Sequence, residues 1–229
     1  MRRFIFIIAV CACSCAYWAC KSNSNAVGSV PNVSSPASAY YPLAVGDEWT
    51  YYGYSDTNGV MELNSAGNAS ESIISETQID GLSVYALGIT GYNGPLGYYA
   101  INSQNILLQI LDTVSVNGMV ESEPMTDFGN TIAGHTDTLF ISGGIGSYAT
   151  VETYMGMLSI QVKAGVFTVA WYHDSSGTGF GDYAISDKYY AQGVGLVKES
   201  DITFEPNYPN PGQTTTDGTY QELVSYSLH

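Results

Sequence analysis

From residue 40 to its end the chain alternates apolar and polar side chains with a period of two, in short runs broken by Gly, Asn, Asp and Pro. Successive side chains of a strand point to opposite faces, so this periodicity specifies strands rather than helices. "LSIQV" puts Leu158, Ile160 and Val162 on one face and Ser159 and Gln161 on the other. "VFTVAWYH" separates Phe167, Val169, Trp171 and His173 from Thr168, Ala170 and Tyr172. "TYQELVSYSLH" groups Tyr220, Val224, Tyr226 and Leu228, with Glu222 as the exception, and "LVKESDITF" groups Leu196, Ile202 and Phe204. Further runs are Glu48–Tyr54, Glu71–Ile79, Leu82–Ile89, Gly97–Ile101, Thr113–Met119, Thr138–Ser142 and Asp182–Tyr190. Tyr, Val, Ile and Thr dominate them, as pleated surfaces favour. "SQNILLQILD" is open: Ile106, Leu107, Ile110 and Leu111 also fit a helix capped by Ser103. No long amphipathic helix appears after residue 20. The expectation is an all-β, mostly antiparallel domain with few or no helices, over residues 40–229.

The N-terminus is of another kind. Arg2 and Arg3 precede an almost unbroken apolar run, Phe4 to Ala19. A membrane span needs about 20 residues, so the run reads as the core of a secretory signal, residues 1–19. All four cysteines, Cys11, Cys13, Cys15 and Cys20, lie in the first twenty residues, which leaves the folded part without a disulfide. Their place beside small residues resembles the acylation motif of bacterial lipoproteins. Cys20, after Ala19 and before a polar stretch, gives a signal of ordinary length; Cys15 and Cys13 are the alternatives. Acylation would anchor the chain to a bilayer, since each buried CH₂ contributes about 0.8 kcal/mol and two or more chains attach stably. Lys21 after the modified Cys is unlike the Asp that signals inner-membrane retention, and so favours the outer membrane. Residues 20–39 then form the acylated Cys and a Ser/Asn/Pro tether. As a coil, Lys21 to Ser38 would reach roughly 23 Å.

Charge narrows the partners. The chain has 6 basic and 21 acidic residues. Loss of the signal removes Arg2 and Arg3 and moves the net charge from −15 to −17. Such a surface repels nucleic acid and excludes it as a partner.

Two motifs carry a resemblance. The first is Tyr41-Pro42-Leu43, then Gly46-Asp47, then Trp49 and Tyr51. The second is Gly193-Val194-Gly195-Leu196-Val197-Lys198, with "VKAGVF" (Val162 to Phe167) about thirty residues before it. Together they resemble a largely uncharacterised group of bacterial secreted proteins and lipoproteins, the TapB-like proteins. The resemblance implies a curved antiparallel sheet, half-barrel or open barrel, distantly similar to the lipoprotein-carrier folds of bacterial envelopes. It brings no catalytic residues with it.

Conventional chemistry is sparse. There is no G-x-S-x-G, H-E-x-x-H, P-loop or paired-cysteine motif. His135, Asp137, His173 and Asp174 are the places where His and carboxylates cluster, and they could ligate a metal. They come from two separate turns, so no transition metal and no cofactor is expected. Asp174 and Asp182 bracket a Gly-rich loop that could offer oxygens to Ca²⁺, although a hairpin loop explains it as well. "SGGIGS", Ser142 to Ser147, reads as a turn, and "PNYPNPG", Pro206 to Gly212, as a hairpin loop. The functional expectation is a non-catalytic envelope lipoprotein that binds an apolar ligand or a partner protein, or acts structurally. The alternatives are an envelope hydrolase using His135 or His173 with a nearby carboxylate, and an aromatic-lined carbohydrate-binding module. Trp49, two residues after the Gly46-Asp47 turn, is expected to pin the first strand to the core rather than to touch a ligand.

Overall fold

The alternating runs are strands. The computed structural model describes residues 37–57, 60–111, 122–129, 131–141, 148–178, 183–206 and 214–229. Its first six strands are β1 (Glu48–Thr57), β2 (Val60–Ile79), β3 (Leu82–Ile89), β4 (Pro95–Ile101), β5 (Ile106–Ile110) and β6 (Ser122–Asp127). The second six are β7 (Thr136–Ile141), β8 (Tyr148–Val162), β9 (Gly165–Thr178), β10 (Tyr183–Ala191), β11 (Gly195–Pro206) and β12 (Thr214–Ser227). A single short helix among the described residues, α1 (Ala37–Tyr40), precedes them. The Thr113–Met119 run, the three candidate acylation cysteines, Asp182 and the Ser142–Ser147 turn lie outside the described residues, as does all of the Pro206–Gly212 loop except Pro206.

All ladders are antiparallel, and the sheet order is β6-β5-β4-β3-β2-β1-β12-β11-β10-β9-β8-β7. Taken as a ring, this is chain order throughout, closed by β12 beside β1, with β6 and β7 as the two edges. The sheet curls until β6 faces β8 and β10. Lys188 Nζ on β10 donates to the Met125 carbonyl at 2.9 Å, the Thr126 and Tyr190 hydroxyls meet at 3.3 Å, and Asp127 N–H donates to Glu152 Oε1 at 2.8 Å. The result is one nearly closed, barrel-shaped sheet.

The ambiguous segment resolves as strand. Asn102 Oδ1 accepts from the N–H groups of both Gln104 and Ile106, at 2.9 and 3.0 Å. Asn105 sits at φ 66°. An Asn-built turn therefore feeds β5 where a helix would have needed Ser103 as its cap.

The two motifs of the resemblance meet. Trp49 is 2% exposed and its Nε1 donates to the Val194 carbonyl at 2.6 Å. Tyr51 donates its hydroxyl to the Leu196 carbonyl at 3.1 Å, and Tyr41 stacks on Trp49 with centroids 6.1 Å apart. Gly195 holds φ +104°, and a Cβ there would lie 3.2 Å from Trp49 Nε1. Glycine is thus required twice, for the backbone and for the contact. The Gly193 N–H donates to the Ala39 carbonyl, and Asp47 accepts from Ala44 N–H at 2.9 Å and His229 N–H at 2.8 Å. The start of the sheet, His229 just past β12 and the β10–β11 turn are therefore clasped together. Ala37 is fully buried, so the packed chain is already in place within the stretch that composition assigns to the tether.

Candidate functional site

Register determines which side chains line the inside of the curl. One rung of opposed residues crosses β1, β12, β11, β10, β9 and β8 as Gly53, Gln221, Glu199, Lys188, Tyr172 and Tyr154. The next rung is Ser55, Thr219, Asp201, Ser186, Asp174 and Glu152. Because Lys188 reaches Met125, and Tyr190 two residues on reaches Thr126, these rungs face inward. On β9 the inner face carries Ala170, Tyr172 and Asp174; on β12 it carries Thr219, Gln221 and Leu223. The inside of the barrel is thus polar along this wall.

At its centre lies a buried ion pair. Lys188 Nζ is 2.6 Å from Asp174 Oδ2, with both side chains about nine-tenths buried. Burial alone would lower the Lys188 ammonium, but the Asp174 carboxylate outweighs it and holds the ammonium above its usual value. Burial lifts Asp174, against the downward pull of Lys188. Glu152, opposite Asp174 and 2% exposed, is pushed up to about 8 by burial and then by the charge of Asp174. It therefore carries a proton at neutral pH. That proton bonds Glu152 to the Asp174 carboxylate, which it helps hold down; by strict distance and angle Glu152 Oε2, Asp174 Oδ1 and Ser186 Oγ have no hydrogen-bond partner among the described residues.

Two cavities open on this wall. One of about 300 Å³ is lined by Glu71, Glu199 and Asp201 with Tyr51, Tyr54, Tyr220 and Gln221. Burial followed by the charge of Asp201 pushes Glu199 up to about 7, and burial raises Glu71. Gln221 Nε2 donates to Glu199 Oε2 at 2.7 Å. The second cavity, about 200 Å³, is lined by Thr150, Asp174, Ser176, Ser186, Lys188 and Asp201. Asp201 lines both.

The residues singled out from sequence are dispersed. His135 Nε2 is 3.2 Å from Asp137 Oδ1 in an exposed pair beside another cavity of about 330 Å³. His173 Nδ1 is 2.9 Å from Asp187 Oδ1, which also accepts from Trp171 Nε1 at 2.7 Å, on the outer face of β9 and β10. Of the four, Asp174 lies on the inward rung and Asp137 on β7 continues it as the register partner of Glu152, whereas His173, next to Asp174 in the strand, points to the opposite side. No group of three or more metal-ligating side chains converges among the described residues. Sequence reading missed Glu71, Glu152, Lys188, Glu199 and Asp201. The available signal was a pair of acidic side chains at alternate positions of one strand, Glu199 and Asp201.

No protein-family profile and no curated protein matches the chain. Two crystal structures resemble it. One is a candidate exported protein with a YmcC-like fold from Bacteroides fragilis, at 11% identity and TM-score 0.45, over 82% of this chain and 99% of that one. The other is a candidate lipoprotein from Parabacteroides distasonis, at 13% identity and TM-score 0.43, over 82% of this chain and 98% of that one.

Proposed function

We propose that this is a TapB-like, membrane-anchored lipoprotein of the bacterial envelope, acylated at Cys20 and placed at the outer membrane. Its role is non-catalytic: the barrel interior binds a small polar ligand. The observation that carries this reading is the cavity of about 300 Å³ lined by Glu71, Glu199 and Asp201. Carboxylates there disfavour the apolar ligand suggested by composition, because burying a charge against hydrocarbon is costly. They suit a ligand that supplies hydrogen-bond donors. The two His–carboxylate pairs contribute to neither cavity of this wall, which supports binding rather than hydrolysis.

Two measurements test the reading. Cys20→Ala is expected to shift the protein from the membrane to the soluble fraction; continued acylation of the variant would move the anchor to Cys15 or Cys13. Mass spectrometry of the detergent-solubilised full chain is expected to find a small polar molecule co-purifying with it. A long-chain lipid held by the folded part would instead restore the apolar reading.

A further inference from the structure

We propose that the barrel rests on the bilayer that carries its anchor, through an apolar surface formed by Ile132, Met155 and Met157 beside Tyr40. This rests on the acylated, membrane-anchored reading above and names the face that meets the lipid. The first observation is exposure. Ile132 is 64% exposed, Met157 46% and Met155 41%, and apolar surface left in water forgoes the free energy of burial. β7 pairs with β8 only as far as Thr153, so both methionines lie beyond its end. Met155 is the extra residue of a bulge between Tyr154 and Gly156, and such a bulge re-aims the side chains around it.

These side chains belong to one surface. Gly134 N–H donates to the Tyr154 carbonyl at 2.7 Å, which lays the loop after β6 alongside β8. A Cβ on Gly156 would lie 3.5 Å from that of Ala133. The Tyr40 hydroxyl reaches Met157 Sδ at 4.0 Å. Contiguous exposed apolar surface of this kind marks a partner or a membrane, whereas scattered apolar side chains need no explanation.

The second observation is where the chain enters the fold. α1 carries Ala37, buried and donating its N–H to Asn105 Oδ1 at 3.1 Å, and three residues later Tyr40, which touches the patch. Cys20 stands 17 positions before Ala37, a length whose coil dimension is roughly 23 Å. The patch therefore lies at the point from which the acyl anchor is tethered. Tethering makes contact with the bilayer an intramolecular event at high effective concentration, so a few side chains suffice where a free protein would need many.

The third observation is charge. Phe128 to Gly134 and Met155 to Val162 contain no charged residue, in a chain whose net charge after loss of the signal is −17. Carboxylates lose hydration at a lipid surface and are repelled by anionic head groups, so a lipid-facing surface on this protein has to be one that they avoid. His135 and Asp137, at its border, are paired with each other at 3.2 Å. Methionine, unbranched and flexible, adapts to a fluid partner.

A depth measurement tests this. With Cys20 acylated and the signal removed, the chain has no free thiol, so one introduced cysteine takes a fluorescent label alone. Full-chain Ile132→Cys, Met157→Cys and Tyr183→Cys variants are labelled and placed in phosphatidylethanolamine–phosphatidylglycerol vesicles that contain a spin-labelled quencher lipid. Tyr183 is the reference. It is 48% exposed and lies seven residues along β10 from Tyr190, the partner of Ala170 and so level with Met157, about 23 Å by strand rise. Quenching several-fold stronger at positions 132 and 157 than at 183 is expected, and Ile132→Asp should weaken it at 157. Equal quenching at all three positions of an acylated, vesicle-bound chain overturns the proposal and leaves the anchor standing. Weak quenching at 132 and 157 together with a concentration-dependent dimer also overturns it, and gives the patch to a second copy. A purified chain without an acyl group ends the anchored reading and this proposal with it.

Discussion

The clasp around Trp49 and the polar rungs from β8 to β12 belong to the same sheet and are built on opposite terms. In the clasp the polar groups that matter are partnered. The indole of Trp49 meets the Val194 carbonyl, the hydroxyl of Tyr51 meets the Leu196 carbonyl, and both Asp47 oxygens accept backbone N–H groups. On the rungs, by strict distance and angle, buried oxygens of Glu152, Asp174 and Ser186 lack partners among the described residues, and Glu152 and Glu199 hold protons well above the usual carboxylate range. Satisfied polar groups rigidify a fold, and unsatisfied ones reduce its stability. The comparison separates a region shaped to hold the chain together from one that the fold tolerates for another purpose.

The largest expected effect is on the clasp. Trp49→Ala removes a fully buried indole, which typically costs about 3–5 kcal/mol through lost transfer energy and the cavity left behind. It also strands the Val194 carbonyl. A domain has about 5–15 kcal/mol in total, so thermal or urea unfolding should show a steep fall in the midpoint. Trp49→Phe keeps most of the volume and loses only the hydrogen bond, so its effect should be clearly smaller. If Trp49→Ala left the midpoint in place, the clasp would not be the anchor that its geometry indicates.

The same contrast explains what could be read from the sequence. The motifs from Tyr41 to Tyr51 and from Gly193 to Lys198 stand out because a clasp needs particular residues: an indole, a Gly at positive φ, a buried Asp. Periodicity located β3 at both ends and most of β1, β9 and β12, but it cannot say which face turns inward. "TYQELVSYSLH" shows an apolar set, Tyr220, Val224 and Tyr226, yet Gln221 and Leu223 face the interior. An inner wall of polar side chains reverses the usual assumption that the apolar face is buried. β6 was missed because Pro124 interrupts its pattern; as an edge strand it can spare the lost donor. The first half of β2, "VMELNSAGNAS", has no alternation to detect, and its pairing with β1 is what makes it a strand. The site escaped for a related reason. Glu71, Glu152, Asp174, Lys188, Glu199 and Asp201 come from five strands, and only strand register aligns them.

An effect that becomes comparable only at the top of its pH range is expected on the rungs. Glu152 titrates near 8 in the folded protein against an ordinary 4.5. Asp174 and Asp127 face it and raise it further, while the Asp127 N–H and the Lys188 ammonium pull it down. Its folded value lies above its unfolded one, so between pH 4.5 and 8 the folded state binds the extra proton. The contribution to stability is complete below 4.5 and is lost as pH rises toward 8, at up to about 1.4 kcal/mol per pH unit. Glu199 acts in the same direction up to about 7. Glu152→Gln mimics the protonated form: its carbonyl can still accept from Asp127 N–H, and its amide can donate toward Asp174. Urea midpoints of parent and variant should agree near pH 4 and diverge above pH 7, with the variant more stable. A constant difference across that range would show that Glu152 is not the titrating group.

The smallest effect is expected where sequence alone pointed to chemistry. His135 and Asp137 form a pair at 3.2 Å, with side chains 52% and 38% exposed. Exposed pairs of this kind contribute about 0–1 kcal/mol, because water screens them and long side chains lose freedom to hold them. They also stand apart from the two inner cavities. His135→Ala should therefore move the unfolding midpoint by an amount close to the error of the measurement, at most about 0.5 kcal/mol. It should leave any ligand that co-purifies with the chain in place. Loss of that ligand with the fold intact would bring the function out to the rim at His135, and would detach it from the unsatisfied wall inside.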